Sequence, residues 1–537
     1  MFKHKISKEK GITLIALVVT IIVLLLLAGI SIQMLTGNNG ILQRAGQAKE
    51  NTVKSGDQER LTLVANDWEV EKLTKPNTNI EAYLDKQVAS NSIDEYESIG
   101  DGLYTIKKGE QELTLDDGKV YIWKGIDDVS TELKGSGTEE DPFLIRNGAD
   151  LKFLSNAIDQ SIKYIDKEGN EKEYKSASYK QVKDVYLNDV SQFDKWNDES
   201  INANLNQLYI SRFEGNYEGN NKKIVGLYIN EPTKIGFFKV LYYANINNLN
   251  LENSCVIGGS SSVGILCGSA DVTNITNCKV GGIVQGTYYV GGLCGVYYGD
   301  YRGNNSCSVR KCINNANITG DTWVGGLFGK IYGYDLATIE ECINNGIITA
   351  SQHVGGICGE CSVAIINNNT NNNNILGLKT TTGYYYYLGG IAGEIRGSDI
   401  GNCINKGNII INNTNATINE IGGIVGYTQS SNNKNTSISN SKNMGNIEIT
   451  VESDSNSLTS WIGGILGCGN NTTINRTNNS GNIRLSQGLV DNGTCKGVGG
   501  IIGYISSNVT ITESTSNGTI TVPTTITWGE QVGYQNP

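Results

Sequence analysis

Side chains that could act as general bases are scarce in this sequence. Its 537 residues include two histidines, and His4 precedes a long apolar segment, so that His353 is the remaining imidazole. The H-E-x-x-H motif of zinc proteases is absent, and Ser-His or Cys-His catalysis would have a single candidate base. Because His353 comes directly before a predicted strand, we expect a corner residue rather than a base.

Cysteine is the second residue type that could do chemistry. The 12 cysteines all lie between Cys255 and Cys495. Seven occupy repeated positions where other repeats carry apolar residues, Ser or Thr, so we predict buried thiols that pack as small apolar side chains. Disulfides between neighbouring repeats and a metal site are the alternatives. Cys358 and Cys361 have the spacing of a redox pair, but no strand-to-helix turn accompanies them.

Carboxylates that could cleave a polysaccharide are sparse in the second half of the chain. Parallel β-helix enzymes cluster acidic side chains, often with Ca²⁺, on one face. Here the acidic residues recur at no fixed position of the repeats, so we predict neither a catalytic pair nor a metal site. The residues considered are Asp271, Asp300, Asp321, Asp335, Glu340, Glu341, Glu360, Glu394 and Asp399.

Aromatic residues cluster beside the predicted corners of the repeats. The chain has 27 tyrosines and 6 tryptophans, and such rings offer amphipathic contact area to sugars and to protein surfaces alike. The alternative is that they only cover exposed edges of the repeats. The candidate binding residues are Tyr289, Tyr298, Trp323, Tyr332, Tyr385 and Tyr386, and the same region holds Tyr288, Tyr301 and Tyr334.

The composition excludes some classes of protein. The formal charge is −11, from 43 basic and 54 acidic residues, and no basic cluster offers a footprint for nucleic acid. Abundant Gly, Asn, Ile and Thr disfavour a helical bundle. No residue pattern calls for a cofactor.

The first part of the chain has the pattern of a membrane anchor. Four lysines among the first ten residues precede residues 12–35, which are almost continuously apolar. A helix over these positions is about 36 Å long, enough to cross a bilayer, and the lysines place the N-terminus in the cytoplasm. The anchoring side chains include Leu14, Leu17, Val19, Ile22 and Leu25.

The segment Lys8–Val19, KEKGITLIALVV, resembles the leader of type IV pilins and pseudopilins. The resemblance implies that a prepilin peptidase cuts after Gly11, that Ile12 becomes the often N-methylated first residue, and that other pilin or pseudopilin subunits are partners. Ala16 replaces the glutamate that most pilins carry there, which suits a minor or tip-like subunit. An uncleaved signal anchor on a wall or spacer protein is the alternative.

The repeats determine the predicted fold. A hexapeptide recurs at intervals of 27 to 41 residues, and its first glycines are Gly264, Gly291, Gly325, Gly355, Gly389, Gly422, Gly463 and Gly499. Between these hexapeptides lie short β-branched runs such as Ile339/Cys342/Gly346/Ile348. Such runs cannot bury an apolar face alone, so we predict that successive coils stack, with each strand pairing with its equivalents above and below.

The hexapeptides resemble the GLUG motif of bacterial surface proteins over about residues 135–534. Two segments, Gly135–Ile145 and Phe213–Ile229, are similar to the openings of such solenoids. The resemblance implies a right-handed coil and an adhesin-like role. The same repeat also occurs beside the immunoglobulin A1 metalloprotease domain, whose H-E-x-x-H motif this chain lacks.

The sequence thus predicts a mainly β fold, a parallel, right-handed β-helix or solenoid preceded by a long pilin-like transmembrane α-helix and a small α+β module. The predicted segments are the leader (1–11), the transmembrane helix and amphipathic stem (12–75), the small partly β pilin-like module (76–130), the solenoid lead-in with a helix and an insertion (131–234) and the repeat solenoid (235–537).

The predicted function is non-enzymatic display of the solenoid outside the cell, from a single-pass membrane anchor or a pilus, for adhesion to an extracellular protein or glycan. A carbohydrate-active β-helix enzyme, a lyase or hydrolase, is the alternative from another class.

Overall fold

The computed structural model describes residues 41–75, 77–303, 305–334, 337–378, 384–413, 417–451, 460–485 and 495–521. The chain divides into two compact units between Lys119 and Val120, each with its own hydrophobic cluster. The predicted cleavage site Gly11/Ile12 and the membrane segment 12–35, with Leu14, Leu17, Val19, Ile22 and Leu25, lie outside the described residues. In the described ranges no helix has the length and apolar character of a membrane span. The other predicted segment boundaries stay predictions.

The first unit packs two helices on a small antiparallel sheet. The helices are Ile41–Thr74 and Ile80–Ala89, and the strands are Glu95–Gly100, Leu103–Lys108 and Gln111–Asp116. Leu61 and Trp68 of the long helix are buried in the core, and the Trp68 Nε1–H donates to the Asp116 carbonyl oxygen at 2.7 Å. The three strands lie within the predicted module 76–130, whose pilin-like character stays a prediction.

The second unit is a stack of coils. In the coil that begins at Cys294 the chain runs through five short strands, each of which pairs in parallel with the equivalent strand of the next coil. These strands are Cys294–Tyr298, Cys307–Arg310, Ile313–Asn314, Asn317–Thr319 and Thr322–Gly325. The predicted parallel β-solenoid is thereby confirmed, while its right-handedness stays a prediction.

Strands that begin near the end of the hexapeptide form one column, which we call the motif column. It consists of Ile210–Phe213, Phe238–Tyr242, Cys267–Asp271, Cys294–Tyr298, Phe328–Tyr332, Cys358–Ser362, Ala392–Arg396, Val425–Gln429, Leu466–Asn475 and Ile502–Thr512. The last two strands continue into the second column, which otherwise consists of Phe143–Ile145, Ser178–Gln181, Asn216–Glu218, Asn245–Asn247, Asn274–Thr276, Cys307–Arg310, Ala337–Glu340, Ile365–Asn367, Asp399–Gly401 and Thr436–Ser439.

Three further columns complete the coils. The strand Lys279–Gln285 runs from the third column into the fourth, and the strand Asn250–Val263 runs from the third through the fourth into the fifth. The third holds Val185–Tyr186, Lys223–Val225, Ile313–Asn314, Ile343–Asn344, Thr370–Asn371, Ile404–Asn405, Lys442–Asn443, Asn478–Asn479 and Thr515–Ser516. The fourth holds Tyr228–Ile235, Asn317–Thr319, Ile348–Ala350, Ile375–Gly377, Ile409–Asn413, Ile447–Val451, Ile483–Leu485 and Ile520–Thr521. The fifth holds Tyr288–Gly291, Thr322–Gly325, Gln352–Gly355, Tyr384–Gly389, Thr417–Ile418, Ile421–Gly422, Ser460–Gly463 and Cys495–Gly499.

The lead-in covers the first coils with a helix and an insertion. The helix Gly148–Asp159 is capped by the Asn147 side chain, which accepts from the Asp150 N–H at 2.9 Å. This helix lies within the segment 131–234, where the sequence predicts a lead-in helix. The insertion contains the antiparallel pair Lys163–Ile165 and Glu171–Glu173 together with short helical turns at Tyr174–Ser176, Phe193–Lys195 and Glu199–Asn202.

A buried row of asparagines runs through the third column, and we call it the asparagine ladder. In each coil the Nδ2 group donates to the Oδ1 atom of the next asparagine at 2.8 or 2.9 Å. Its members are Asn314, Asn344, Asn371, Asn405, Asn443 and Asn479. These bonds satisfy polar groups that would be costly to bury alone, so the ladder fixes the register of the coils.

The second glycine of the hexapeptide lies against this ladder. A Cβ on Gly356 would overlap both the Gly390 carbonyl oxygen and the side chain of Asn371. The motif therefore needs glycine because neighbouring coils approach closely there.

The cysteines lie inside the solenoid. The 11 whose side chains are described are all buried and none forms a disulfide, as the packing interpretation predicts. Cys312 and Cys342 belong to one column, and each thiol donates to a backbone carbonyl of the preceding coil. Burial raises the pKa of Cys403 to about 12, which keeps the thiol protonated and unreactive at neutral pH.

Candidate functional site

Aromatic rings contact one another in a row along the corner that precedes the motif column, and we call this row the aromatic ladder. It consists of Tyr289, Trp323, His353 and Tyr387. All four have a positive φ, between 48° and 58°, which turns the chain at the corner. Adjacent ring centroids are 4.8 to 5.2 Å apart. His353 is thus a corner residue, as predicted.

Charged side chains lie under this ladder, and we call them the charge network. Lys330, Glu360 and Glu394 occupy the same position in successive motif-column strands and point away from the core, yet they are buried. The Trp323 indole Nε1–H donates to Glu360 Oε2 at 2.7 Å, and the Lys330 ammonium lies 3.0 Å from the same oxygen.

Arg396 joins the two carboxylates of the charge network. Its Nε atom lies 2.7 Å from Glu394 Oε1 and 3.3 Å from Glu360 Oε1. His353 Nδ1 lies 3.0 Å from Glu394 Oε2. Burial disfavours ionisation of Glu394, but His353 and Arg396 outweigh it and hold the pKa of this carboxyl below its usual value.

The expectation that the acidic residues share no position of the repeats is wrong for Glu360 and Glu394. Glu360 and Glu394 both directly follow the last glycine of a hexapeptide, so they share one position of the repeat and become in-register neighbours. That shared position was the signal in the sequence. It was missed because the neighbouring coils carry Lys330 and Tyr427 there, which hides the pattern when only acidic residues are compared.

The buried carboxylate pair is poorly suited to hydrolysis of a sugar. Glu360 and Glu394 are 2% and 1% exposed, so a substrate cannot reach them in this conformation. A general acid needs a raised pKa, whereas that of Glu394 is lowered.

The same groups include possible metal ligands. Ligand atoms of His353, Glu360 and Glu394 lie within 4.8 Å of one another. Lys330 and Arg396 already neutralise the two carboxylates at close range, so a cation would have to displace them. The arrangement is therefore an internally balanced ion-pair network.

The predicted binding residues divide into distinct environments. Tyr289 and Trp323 are stacked at 16° within the aromatic ladder, and Tyr298 stacks on Tyr332 at 4°. These rings cover one another's faces, and the Lys330 ammonium lies 4.6 Å from the Tyr332 centroid.

Tyr385 and Tyr386 have different surroundings. Tyr386 is half-buried. Tyr385 is fully buried, and its hydroxyl donates to the Leu378 carbonyl oxygen at 2.8 Å. The prediction of Tyr385 as a ligand contact is therefore wrong, because alternation along the strand turns its ring into the core.

Exposed rings gather instead just beyond the ends of the motif-column strands, and we call this surface the tyrosine patch. It consists of Tyr243, Tyr301, Arg302 and Tyr334. The tyrosine side chains are 39%, 68% and 42% exposed. Tyr301 and Tyr334 meet edge to face at 6.5 Å. Desolvation is the main cause that raises the pKa of the Tyr243 hydroxyl. Asp300 and Tyr301 add to this shift and Arg302 opposes it, so these groups lie near Tyr243.

A buried carboxylate holds the loop that carries Tyr301. Asp300 is 1% exposed, and its oxygens accept from the backbone N–H groups of Arg302 and Asn305 at 2.9 and 3.0 Å. The Arg302 guanidinium lies 5.3 Å from the Tyr301 centroid, and its Nε–H donates to the Tyr301 hydroxyl at 2.9 Å. The loop thus presents an aromatic ring and a guanidinium side by side at the surface.

Comparison with known proteins names no family for this chain. No protein-family model matches it, and no curated protein matches it at a significant level. Among solved structures, the crystal structure of a candidate immunoglobulin A1 protease from Bacteroides ovatus superposes with a TM-score of 0.33 and 16% sequence identity, covering 71% of this chain and 86% of that chain. A likeness at this level carries no argument about function.

Proposed function

We propose that this chain is a non-enzymatic bacterial surface protein that binds an extracellular protein or glycan through the tyrosine patch of its solenoid. A pilin-like N-terminal segment, processed at Gly11 and anchored through residues 12–35, holds it at the membrane or in a pilus. The observation that carries the binding role is the patch itself, which combines three exposed tyrosines and an arginine on a rigid coil edge.

Other features support binding rather than catalysis. The charge network is buried and neutralised from within, and the thiols whose side chains are described are all buried. Stacked coils present a fixed surface, because every strand is held by its neighbours on both sides. Such a scaffold keeps exposed rings in place and lowers the entropy lost on binding.

The test uses cells that display the full chain. We expect these cells to adhere to at least one of immobilised mucin, collagen, fibronectin and a set of plant and bacterial polysaccharides. The double substitution Tyr301→Ala/Tyr334→Ala should lower adherence about tenfold, as expected when exposed aromatic contacts at a binding centre are lost.

Tyr288→Ala is the matched control, because Tyr288 is also exposed, at 41%, but belongs to a different column. Surface antibody staining confirms equal display of the variants. The proposed function is wrong if the double variant adheres as well as the wild type, or if displaying cells instead release soluble sugars from the polysaccharides.

A further inference from the structure

We infer that the ligand of the tyrosine patch is a polysaccharide chain that lies across successive coils, along the stacking direction of the solenoid. This inference rests on the proposed function and specifies its ligand class. Its basis is the orientation of the exposed rings, their spacing and the small size of the patch.

The rings of the patch do not stack on one another. Tyr301 and Tyr334 are inclined at 67°, and Tyr243 meets Tyr242 at 73°. In contrast, Tyr289 and Trp323 of the aromatic ladder stack face to face, as do Tyr298 and Tyr332. The patch rings therefore have no parallel aromatic neighbour, although the Arg302 guanidinium lies over one face of Tyr301, 5.3 Å from its centroid. Each ring keeps exposed area on which a sugar can pack.

The rings are also spaced along the stack. The backbone N–H of Tyr243 donates to the carbonyl oxygen of Asp271, the residue directly before Val272. In the same way Val272 donates to Tyr298, and Gly299 donates to Tyr332. Tyr243, Val272 and Gly299 therefore hold equivalent positions in three successive coils. Tyr301 comes two residues after Gly299 and thus belongs two coils beyond Tyr243. Two coils span about 10 Å, comparable to two linked pyranose rings, and Tyr334 extends the series by one more coil.

The size and charge of the patch favour a glycan over a protein. A stable protein interface buries about 800 Å² on each side, whereas this surface has three exposed rings and one guanidinium. Among the described residues the Arg302 guanidinium forms no ion pair, and its Nε–H donates to the Tyr301 hydroxyl. Its remaining N–H groups are available to donate to sugar hydroxyl or carboxylate oxygens.

The test measures binding of the detergent-solubilised full chain to an array of neutral and acidic oligosaccharides, each present as a dimer and a hexamer. We expect at least one hexamer to bind at least tenfold more tightly than its dimer, because a chain that covers all three rings must span three coils, about 14 Å, and a dimer does not. Tyr301→Ala should lower the affinity for that hexamer about tenfold, while Tyr288→Ala leaves it unchanged.

The outcomes separate this inference from the proposed function. Binding to collagen or fibronectin that depends on Tyr301, without binding to any oligosaccharide, overturns the inference but leaves the proposed function intact. Absence of any binding that depends on Tyr301 overturns both. Equal affinity for dimer and hexamer contradicts the axial arrangement of the ligand. Thermal melting of each variant confirms that its solenoid is folded.

Discussion

At the scale of single residues, Glu420 is the group whose ionisation the fold most clearly opposes. Its side chain is buried beside Tyr387, Tyr427 and Cys468, and Oε2 has no hydrogen-bond partner among the described residues. Burial raises the pKa of Glu420 to about 7, and the charge of Glu394 adds to the shift.

This shift predicts how stability varies with pH. Between about pH 4.5 and 7 the folded chain keeps a proton that the unfolded chain releases, so the free energy of unfolding falls as pH rises through this window. Glu420→Gln removes the effect. The variant should match the wild type near pH 4 and exceed it by about 3 kcal/mol at pH 8.

Urea unfolding at several pH values measures this difference. Glu341→Gln, at an exposed site, is the control for the loss of one negative charge. A difference between Glu420→Gln and the wild type that does not change with pH would contradict a buried, protonated Glu420.

The contacts of individual buried side chains were the hardest feature to predict from the sequence. The scarcity of histidine and the packing role of the cysteines follow from composition and repeat position. The burial of Glu360 under Trp323 does not follow from the sequence, because it depends on a positive-φ corner that turns the Trp323 ring over the strand. A tryptophan at position 323 does not by itself predict a positive φ.

At the scale of elements, the asparagine ladder connects neighbouring coils. The Asn344 side chain donates to Asn371 and to the Gly346 carbonyl, and accepts from Asn314 and the Gly346 N–H. Asn344→Ala leaves several buried polar groups without partners, each costing about 1–3 kcal/mol. We therefore expect it to lower the free energy of unfolding by about 4 kcal/mol.

The adjacent Asn345 provides the control for this substitution. It also forms hydrogen bonds from coil to coil, but its side chain is exposed, and water can replace those bonds. Asn345→Ala should cost less than about 1 kcal/mol. Equal losses in the two variants, measured by urea unfolding, would show that the buried ladder contributes no special stability.

The corner glycines give a second test at this scale. Gly356→Ala places a Cβ against the Gly390 carbonyl oxygen, so the two coils must move apart, at a cost of about 3 kcal/mol. At Gly281 the nearest atom to a new Cβ is 3.6 Å away, and Gly281→Ala should be nearly neutral. A thermal midpoint for Gly356→Ala equal to that of Gly281→Ala would contradict the close approach.

Elements were predicted well where the sequence repeats and less well where it does not. Eight occurrences of one hexapeptide fix both the corners and the strands that follow them. The strand Glu95–Gly100 and the hairpin at 163–173 lack an alternating apolar pattern, because their side chains are mostly exposed. Sequence periodicity detects burial, so it misses strands that bury little.

At the scale of the whole molecule, each part of the chain has a separate proposed role. We propose that the solenoid supplies a rigid surface with exposed rings and that the pilin-like segment delivers this surface outside the cell. Parallel stacking could be inferred from the repeats alone. The tyrosine patch could not, since exposure of Tyr301 and Tyr334 depends on how the insertions after the motif-column strands fold.

Mass spectrometry of the mature N-terminus of the natively expressed protein tests most directly whether the chain reaches the cell surface by the pilin-like route. We expect a chain that begins at Ile12, with or without N-methylation, because a prepilin peptidase has removed residues 1–11. A mature protein that retains Met1–Gly11 would contradict the pilin-like route and identify an uncleaved signal anchor instead.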